Sequence, residues 1–291
     1  MFRQQLKQSA LIRLITINVV VLVLIWLCTG FLRLFNVEPV QWIDYLQLPA
    51  DWMLIVHRPW TLLTYMFMHE GFFHLFFNML CLYWFGKMFL MRYSPRQMVG
   101  TYILSGLIGG LIYAVAYNLF PFFSDQITSV RLVGASGAVM GLIVAAAVAM
   151  PNYRMHLLLL GSVRLKSIAV ITVIISMLGV SGNNAGGEFC HLGGALAGWL
   201  YAWLLGKGTD ITKPVNCVID WLKNLFGRRH KQQCKQPHTV YHYAPSDADY
   251  NQQRVSNNAE LDKILDKIRN SGYASLTEDE KRRLFETSRK L

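Results

Sequence analysis

Residues 134–150, GASGAVMGLIVAAAVAM, run for 17 positions without a charged side chain, and Ser136 stands near their start among Gly134, Ala135 and Gly137. That length approaches the roughly 20 apolar residues needed to cross a bilayer core about 30 Å thick. A lone hydroxyl among residues with almost no side chain means close helix packing, or the approach of some other group to the hydroxyl itself. Five more apolar blocks surround this one, at 14–35, 72–91, 98–120, 166–181 and 189–206. Of 291 residues 53% are hydrophobic and the mean hydropathy is +0.31, with the apolar residues gathered into blocks instead of scattered as a soluble core needs. The pattern predicts an all-α, polytopic membrane protein with six spans. The first block, LITINVVVLVLIWLCTGFLRLF, reads as a span and not a signal peptide, being too long for an h-region and lacking a small-residue cleavage pattern.

The net charge of +11 sits beside alternate ends of these blocks, where basic residues set orientation, and so argues against nucleic acid as a partner. Arg3, Lys7 and Arg13 precede the first span, Lys87, Arg92 and Arg96 flank the second turn, Arg154, Arg164 and Lys166 separate the fourth and fifth spans, and Lys207 and Lys213 follow the sixth. Both termini are therefore expected in the cytoplasm. The long external connection, 36–68, carries Trp42, Tyr45, Trp52 and Trp60 and is expected to lie in the membrane interface. Five cysteines without a CxxC pair indicate neither a disulfide framework nor a zinc site, and no cofactor or metal is expected. Composition divides the chain into a membrane domain (1–207), a polar cytoplasmic linker (208–256) and a short helical tail (257–291). In the tail, Leu261, Ile264, Leu265 and Ile268 share a helical face, and Thr277 with Glu280 forms a capping box.

With orientation assigned, the polar residues of the spans can be placed by depth. His74 and Asn78, four apart, share a face near the outer end of the second span. Ser136 begins the fourth, about 21 Å from its inner end at about 1.5 Å per residue, and His191 begins the sixth. Three helices thus bring four polar groups to the outer third of the membrane, where such groups are expensive. Gly194 and Gly198 follow His191 on a face that would pack the sixth span tightly against the fourth. A serine hydroxyl needs a base within hydrogen-bond reach, which His191 can be. Asn78, His74 and the backbone N–H of Ser136 can serve as oxyanion donors. Glu188 reads as part of an external loop, SGNNAGGEF, expected to cover the site and move to admit substrate, so the reading is a dyad and not a triad. Gly137 directly after the serine also rules out a GxSxG elbow.

The motifs HEGFFHLFFNML, GASGAVMG and HLGGALAG, in this order within a six-span chain, resemble those of the rhomboid intramembrane serine proteases over about residues 10–206. The resemblance implies Ser136 as nucleophile, His191 as base and His74 with Asn78 as oxyanion donors. Gly134 matches the first position of the family's GxSG, and His69 an additional histidine ahead of the second span. It further implies transmembrane proteins as substrates, the lipid bilayer as surroundings, no metal, and a bacterial inner membrane, the tail being similar to a helical extension of some bacterial members with an unknown cytoplasmic partner. Met140 stands where the family often has an aromatic residue that stacks on the catalytic imidazole, and HRPWT separates Arg58 from Trp60 where the family often has Trp-Arg. The rival readings are an inactive relative that binds or escorts membrane proteins, and a small transporter, which would want the intramembrane carboxylates these spans lack. A cysteine hydrolase built on Cys190 is disfavoured, because neighbouring helix positions point about 100° apart and Cys190 would not face His191.

Overall fold

Glycine on one helix face removes the side chains that would hold two backbones apart, and here that condition recurs on three helices. The computed structural model describes residues 2–37, 40–157 and 161–226, with residues 266–268, 277 and 279–280 of the tail. In chain order the helices are α1 (Phe2–Leu34), α2 (Val40–Asp44), α3 (Trp52–His57), α4 (Thr61–Thr64), α5 (Phe72–Arg92), α6 (Pro95–Leu119), α7 (Ser136–Ala149), α8 (Leu165–Gly179), α9 (Ala185–Gly206) and α10 (Lys213–Phe226). Two short antiparallel pairs join them, β1 (Leu48–Pro49) with β2 (Arg131–Leu132) and β3 (Arg154–Leu157) with β4 (Gly161–Arg164).

Among the described residues four helical stretches are long and apolar enough to cross a membrane, namely Ser9–Leu34 within α1, α5, α6 and α9. The apolar helices α7 and α8 are shorter, at 14 and 15 residues. All six blocks read from the sequence are helical. α7 is buried continuously from Gly137 to Ala147, so it is the central post of the bundle, with α5, α6, α8 and α9 packed around it. A methyl group built on Gly194 would overlap the carbonyl oxygen of Gly137, and one on Gly198 the carbonyl of Gly141. The α7 and α9 backbones therefore touch directly at two levels one turn apart. α6 joins them through Gly109, whose added Cβ would lie 2.7 Å from the Cys190 carbonyl, and through Gly193, whose Cβ would meet the Gly109 Cα at 2.8 Å. Such small-residue seams replace the hydrophobic drive that lipid cannot supply between helices.

α1 is fastened differently. Its buried Asn18 donates to the Leu14 carbonyl at 2.8 Å and to the Tyr102 hydroxyl of α6 at 3.4 Å, while its apolar Val20, Val23, Leu24 and Leu27 are exposed. α6 starts where Ser94 and Gln97 cap each other reciprocally and Pro95 takes the first helical position. The segment before α5 is anchored by charge. Asp44 pairs with Arg58 at 3.1 Å and with Arg131, the Arg58 guanidinium lies 3.7 Å from the Tyr45 ring centroid, and the Trp60 indole donates to the Tyr45 carbonyl at 2.8 Å. The HRPWT arrangement thus ties this segment to β2, four residues ahead of Ser136.

Two boundaries differ from the sequence expectation. α9 begins at Ala185, so the GGEF portion of the expected loop is helical: Gly186 leaves room for the Tyr113 ring, which a Cβ would meet at 2.9 Å. The stretch read as a linker from 208 opens instead with α10, an amphipathic helix. Its inner side packs Thr212 and Asn216 against Gly100 and pairs Asp220 with Arg96, while Val218, Trp221, Leu222 and Leu225 are exposed. The chain divides after Arg229 into a second unit, His230–Leu291. Within that unit Asp266, Lys267 and Ile268 are helical, and the capping box forms, Thr277 N–H donating to Glu280 at 2.7 Å and Glu280 N–H to the Thr277 hydroxyl at 3.3 Å. Leu261, Ile264 and Leu265 lie outside the described residues.

The α7–α9 contact gives a direct expectation. Gly194→Ala forces the two backbones apart and should destabilise the folded chain by about 1–3 kcal/mol, read as a lowered thermal midpoint in detergent. Gly30→Ala, at a position with nothing within 4 Å, should leave the midpoint unchanged. Equal midpoints for the two variants would contradict the packing described.

Candidate functional site

Ser136 takes the first position of α7, so its N–H and those of the next residues have no intrahelical acceptor and point outward with the positive end of the helix dipole. The chain reaches it through Gly134, which has φ of +119°, a conformation that side-chain-bearing residues rarely adopt. Space demands glycine there as well. A Cβ at Gly134 would sit 2.9 Å from His74 Nε2 and 3.8 Å from Ser136 Oγ. The same measurement shows His74, Gly134 and Ser136 lying close together. The Gly134 N–H is held by the Tyr65 carbonyl at 3.0 Å, which fixes the approach of the chain.

On α5, the His74 ring receives a long hydrogen bond at Nδ1 from the Glu70 N–H, 3.5 Å away. A nitrogen that accepts is unprotonated, so the neutral ring carries its proton on Nε2, the atom turned toward Gly134 and Ser136. Asn78, buried, donates one amide proton to the His74 carbonyl at 2.9 Å and keeps a second. His69, just outside α5, is also buried, and its ring meets His74 edge-on at 5.2 Å between centroids. Burial first, and the neighbouring His74 second, push its pKa down to about 4, so it is neutral at ordinary pH. Met140, one turn beyond Ser136, is buried in the core.

His191 lies one turn outward of the Gly194–Gly137 contact, and Ser136 one residue outward of it, so one crossing sets the level of both. Among the described residues no hydrogen bond joins the Ser136 hydroxyl to the imidazole, whose Nδ1 has partners of its own. Nδ1 is 3.1 Å from Glu188 Oε2 and 3.2 Å from Ser176 Oγ, which leaves Nε2 as the nitrogen available to a hydroxyl. Sequence reasoning missed both partners. Glu188, assigned to a loop, is in the first turn of α9, three residues before His191 and on its face; that i, i+3 spacing was the available signal. Ser176 had none, since a lone serine in an apolar helix ordinarily bonds its own backbone. Cys190 turns the other way. It is buried against Gly137 with its Sγ 3.4 Å from the Tyr65 hydroxyl, which removes it as a nucleophile partner for His191. Among the described residues no cluster of three His, Cys, Asp or Glu side chains is placed to hold a metal ion.

Comparison with known proteins gives the family. Residues 56–208 match the family model described as Rhomboid domain, and residues 246–290 match a family of unknown function, DUF6576. The chain is 28% identical over 160 residues to RHOMBOID-like protein 7 of Arabidopsis thaliana, covering 53% of this chain and 46% of that protein. It is 32% identical over 160 residues to Rhomboid-like protease 1 of Toxoplasma gondii, 54% of this chain and 50% of the relative. It is also 32% identical over 79 residues to Inactive RHOMBOID-like protein 8 of Arabidopsis thaliana, 27% of this chain and 22% of the relative. The chain thus spans about half the length or less of these curated relatives.

His69 makes the site's surroundings sensitive to acid in a defined direction. Its folded pKa lies below the ordinary value of 6.5, so the stabilisation is complete above about pH 6.5 and is lost as the pH falls toward 4. Thermal midpoints in detergent should decline through that window, and His69→Gln, neutral at every pH, should flatten the decline. A variant that loses stability on acidification as steeply as the wild type would place the effect elsewhere.

Proposed function

Because this chain belongs to the rhomboid family, we propose that it is an intramembrane serine protease that cuts transmembrane proteins in or near their membrane segments, with Ser136 as nucleophile and His191 as base. The observation that carries this reading is the meeting of His74 Nε2, Gly134 and Ser136 at the head of a helix whose glycine crossing also carries His191. In the reaction the Ser136 hydroxyl gives its proton to His191 Nε2 as Oγ attacks the scissile carbonyl, and the imidazolium later protonates the leaving amine. The oxyanion would be met by the Ser136 N–H, the His74 Nε2–H and the second Asn78 amide proton, aided by the α7 dipole. α7 itself is short, about 21 Å at about 1.5 Å per residue, against a bilayer core of about 30 Å. A nucleophile at its outer end would then lie below the membrane surface.

The protein is an integral membrane protein, and the distribution of Lys and Arg supports cytoplasmic termini. The tail beyond α10 would then lie across the membrane from Ser136, which fits a regulatory or localising role through a cytoplasmic partner. A second reading, an inactive scaffold that binds membrane proteins, is favoured by the missing Ser136–His191 hydrogen bond and by the relative described as inactive. Labelling with a serine-directed fluorophosphonate separates the two.

Reconstituted with a single-span substrate, the wild type should cleave and label, and Ser136→Ala should do neither. Asn78→Ala removes one of several oxyanion donors and should lower kcat about 10²- to 10³-fold with little change in KM, because the oxyanion is absent from the ground state. A raised KM at unchanged kcat would make Asn78 a substrate-binding residue instead. Failure of the wild type to label would favour the scaffold.

A further inference from the structure

We infer that Glu188 is a positioning residue for His191, a carboxylate that holds the imidazole by its Nδ1–H with Nε2 free to face Ser136. This rests on the reading of His191 as the base. Three features built into the fold carry it. Glu188 Oε2 is 3.1 Å from His191 Nδ1, within hydrogen-bond range and on the same face of the first turn of α9. Neither partner is a free surface group, since their side chains are 18% and 20% exposed, so the pair is shielded from most of the water that makes surface ion pairs weak. The third feature is the receptacle on α8, where Gly179 leaves room for the acid, a Cβ there meeting Glu188 Cγ at 2.8 Å, and Ser176, three residues earlier and buried, puts its hydroxyl 3.2 Å from the same Nδ1. A glutamate serving only the helix dipole needs no such pocket and no histidine.

The chemistry needs this arrangement. To accept a proton at Nε2 the neutral ring must carry its own at Nδ1, and an acceptor on that side selects the tautomer. As Oγ forms its bond to the carbonyl carbon, the Ser136 proton moves to Nε2 and the carbonyl electron pair to oxygen. His191 becomes an imidazolium beside an ionised Glu188, which stabilises it and takes no proton itself. When the C–N bond breaks, the Nε2 proton leaves with the amine and the pair returns to its starting charges. The Ser176 hydroxyl can donate to the carboxylate and hold it against the ring.

Other charges near His191 are few. His74 on α5, with Glu70 4.0 Å from its Nδ1, faces His191 across the site. α7 brings no titratable side chain and α8 only the uncharged Ser176, while α6 offers Tyr113 and Tyr117 near Gly186.

Cleavage of a reconstituted single-span substrate by the full chain, with kcat and KM measured separately, tests this. Glu188→Gln should lower kcat about 10- to 100-fold, less than the roughly 10⁴-fold of a fully buried triad acid, with KM within about twofold. Glu188→Asp, which keeps the charge on a shorter side chain, should recover part of kcat. Ser136-dependent cleavage that is indifferent to Glu188→Gln in kcat, or changed in KM alone, would overturn the inference while leaving the protease reading intact. A wild type that neither cleaves nor labels at Ser136 would overturn both. Should Glu188→Gln fail to fold, Glu188→Asp decides: a reduced kcat at unchanged KM supports the role, and a wild-type kcat overturns it.

Discussion

Everything in the membrane domain depends on two backbones touching where Gly137 and Gly141 of α7 meet Gly194 and Gly198 of α9. In lipid, apolar side chains gain nothing by leaving one hydrocarbon for another, so helices are held by the closeness of their contact and by the few polar groups they share. A crossing without side chains sets interhelical distance by the size of the peptide unit. Because Ser136 precedes the first of these contacts and His191 lies one turn above it, the distance that matters for chemistry inherits that stiffness. α6 completes the seam through Gly109 and Gly193, and α5 brings His74 over the head of α7 only because Gly134 has no Cβ to obstruct it.

Above this seam the rings of His74 and His191 each have one nitrogen engaged and the other available. His74 is engaged at Nδ1 by the Glu70 N–H, His191 at Nδ1 by Glu188 and Ser176. The free nitrogen of His74 lies against Gly134, the residue that leads into Ser136. In a medium of low dielectric such assignments matter more than in water, because an unpaired donor or the wrong tautomer is not repaired by solvent. Asp44 between Arg58 and Arg131 ties the segment before α5 to the strand that leads into Ser136. Ser136 is thus approached by chain that is fixed at Arg131 and again at the Gly134 N–H.

Much of this was legible because the signals were local. Apolar blocks gave the helices, the four-residue spacing of His74 and Asn78 gave a shared face, and the glycines after His191 gave the partner helix. What escaped depended on contacts between distant segments. Two adjacent glycines, Gly186 and Gly187, argue for a loop by propensity, yet at Gly186 the missing Cβ accommodates Tyr113 and the helix continues through them. That shift of four residues moved Glu188 from loop to helix face, beside His191 Nδ1. Ser176 was invisible because nothing in its own neighbourhood distinguishes it. α10 was overlooked for another reason: its apolar positions recur at helical spacing within a polar stretch, a periodic signal masked by average composition.

The glycine crossing also decides how the molecule responds to warming. An ordered leucine or isoleucine gives up about 0.5–1 kcal/mol of rotamer entropy, and glycine has no rotamers to give up. At the α7–α9 contact no side-chain freedom was lost on assembly, so none is regained by loosening it. The valines, leucines and isoleucines on the exposed faces of α1 and α8 are in the opposite position, with torsions that warming sets free. Loosening the contact beneath Ser136 and His191 therefore draws on no stored side-chain entropy.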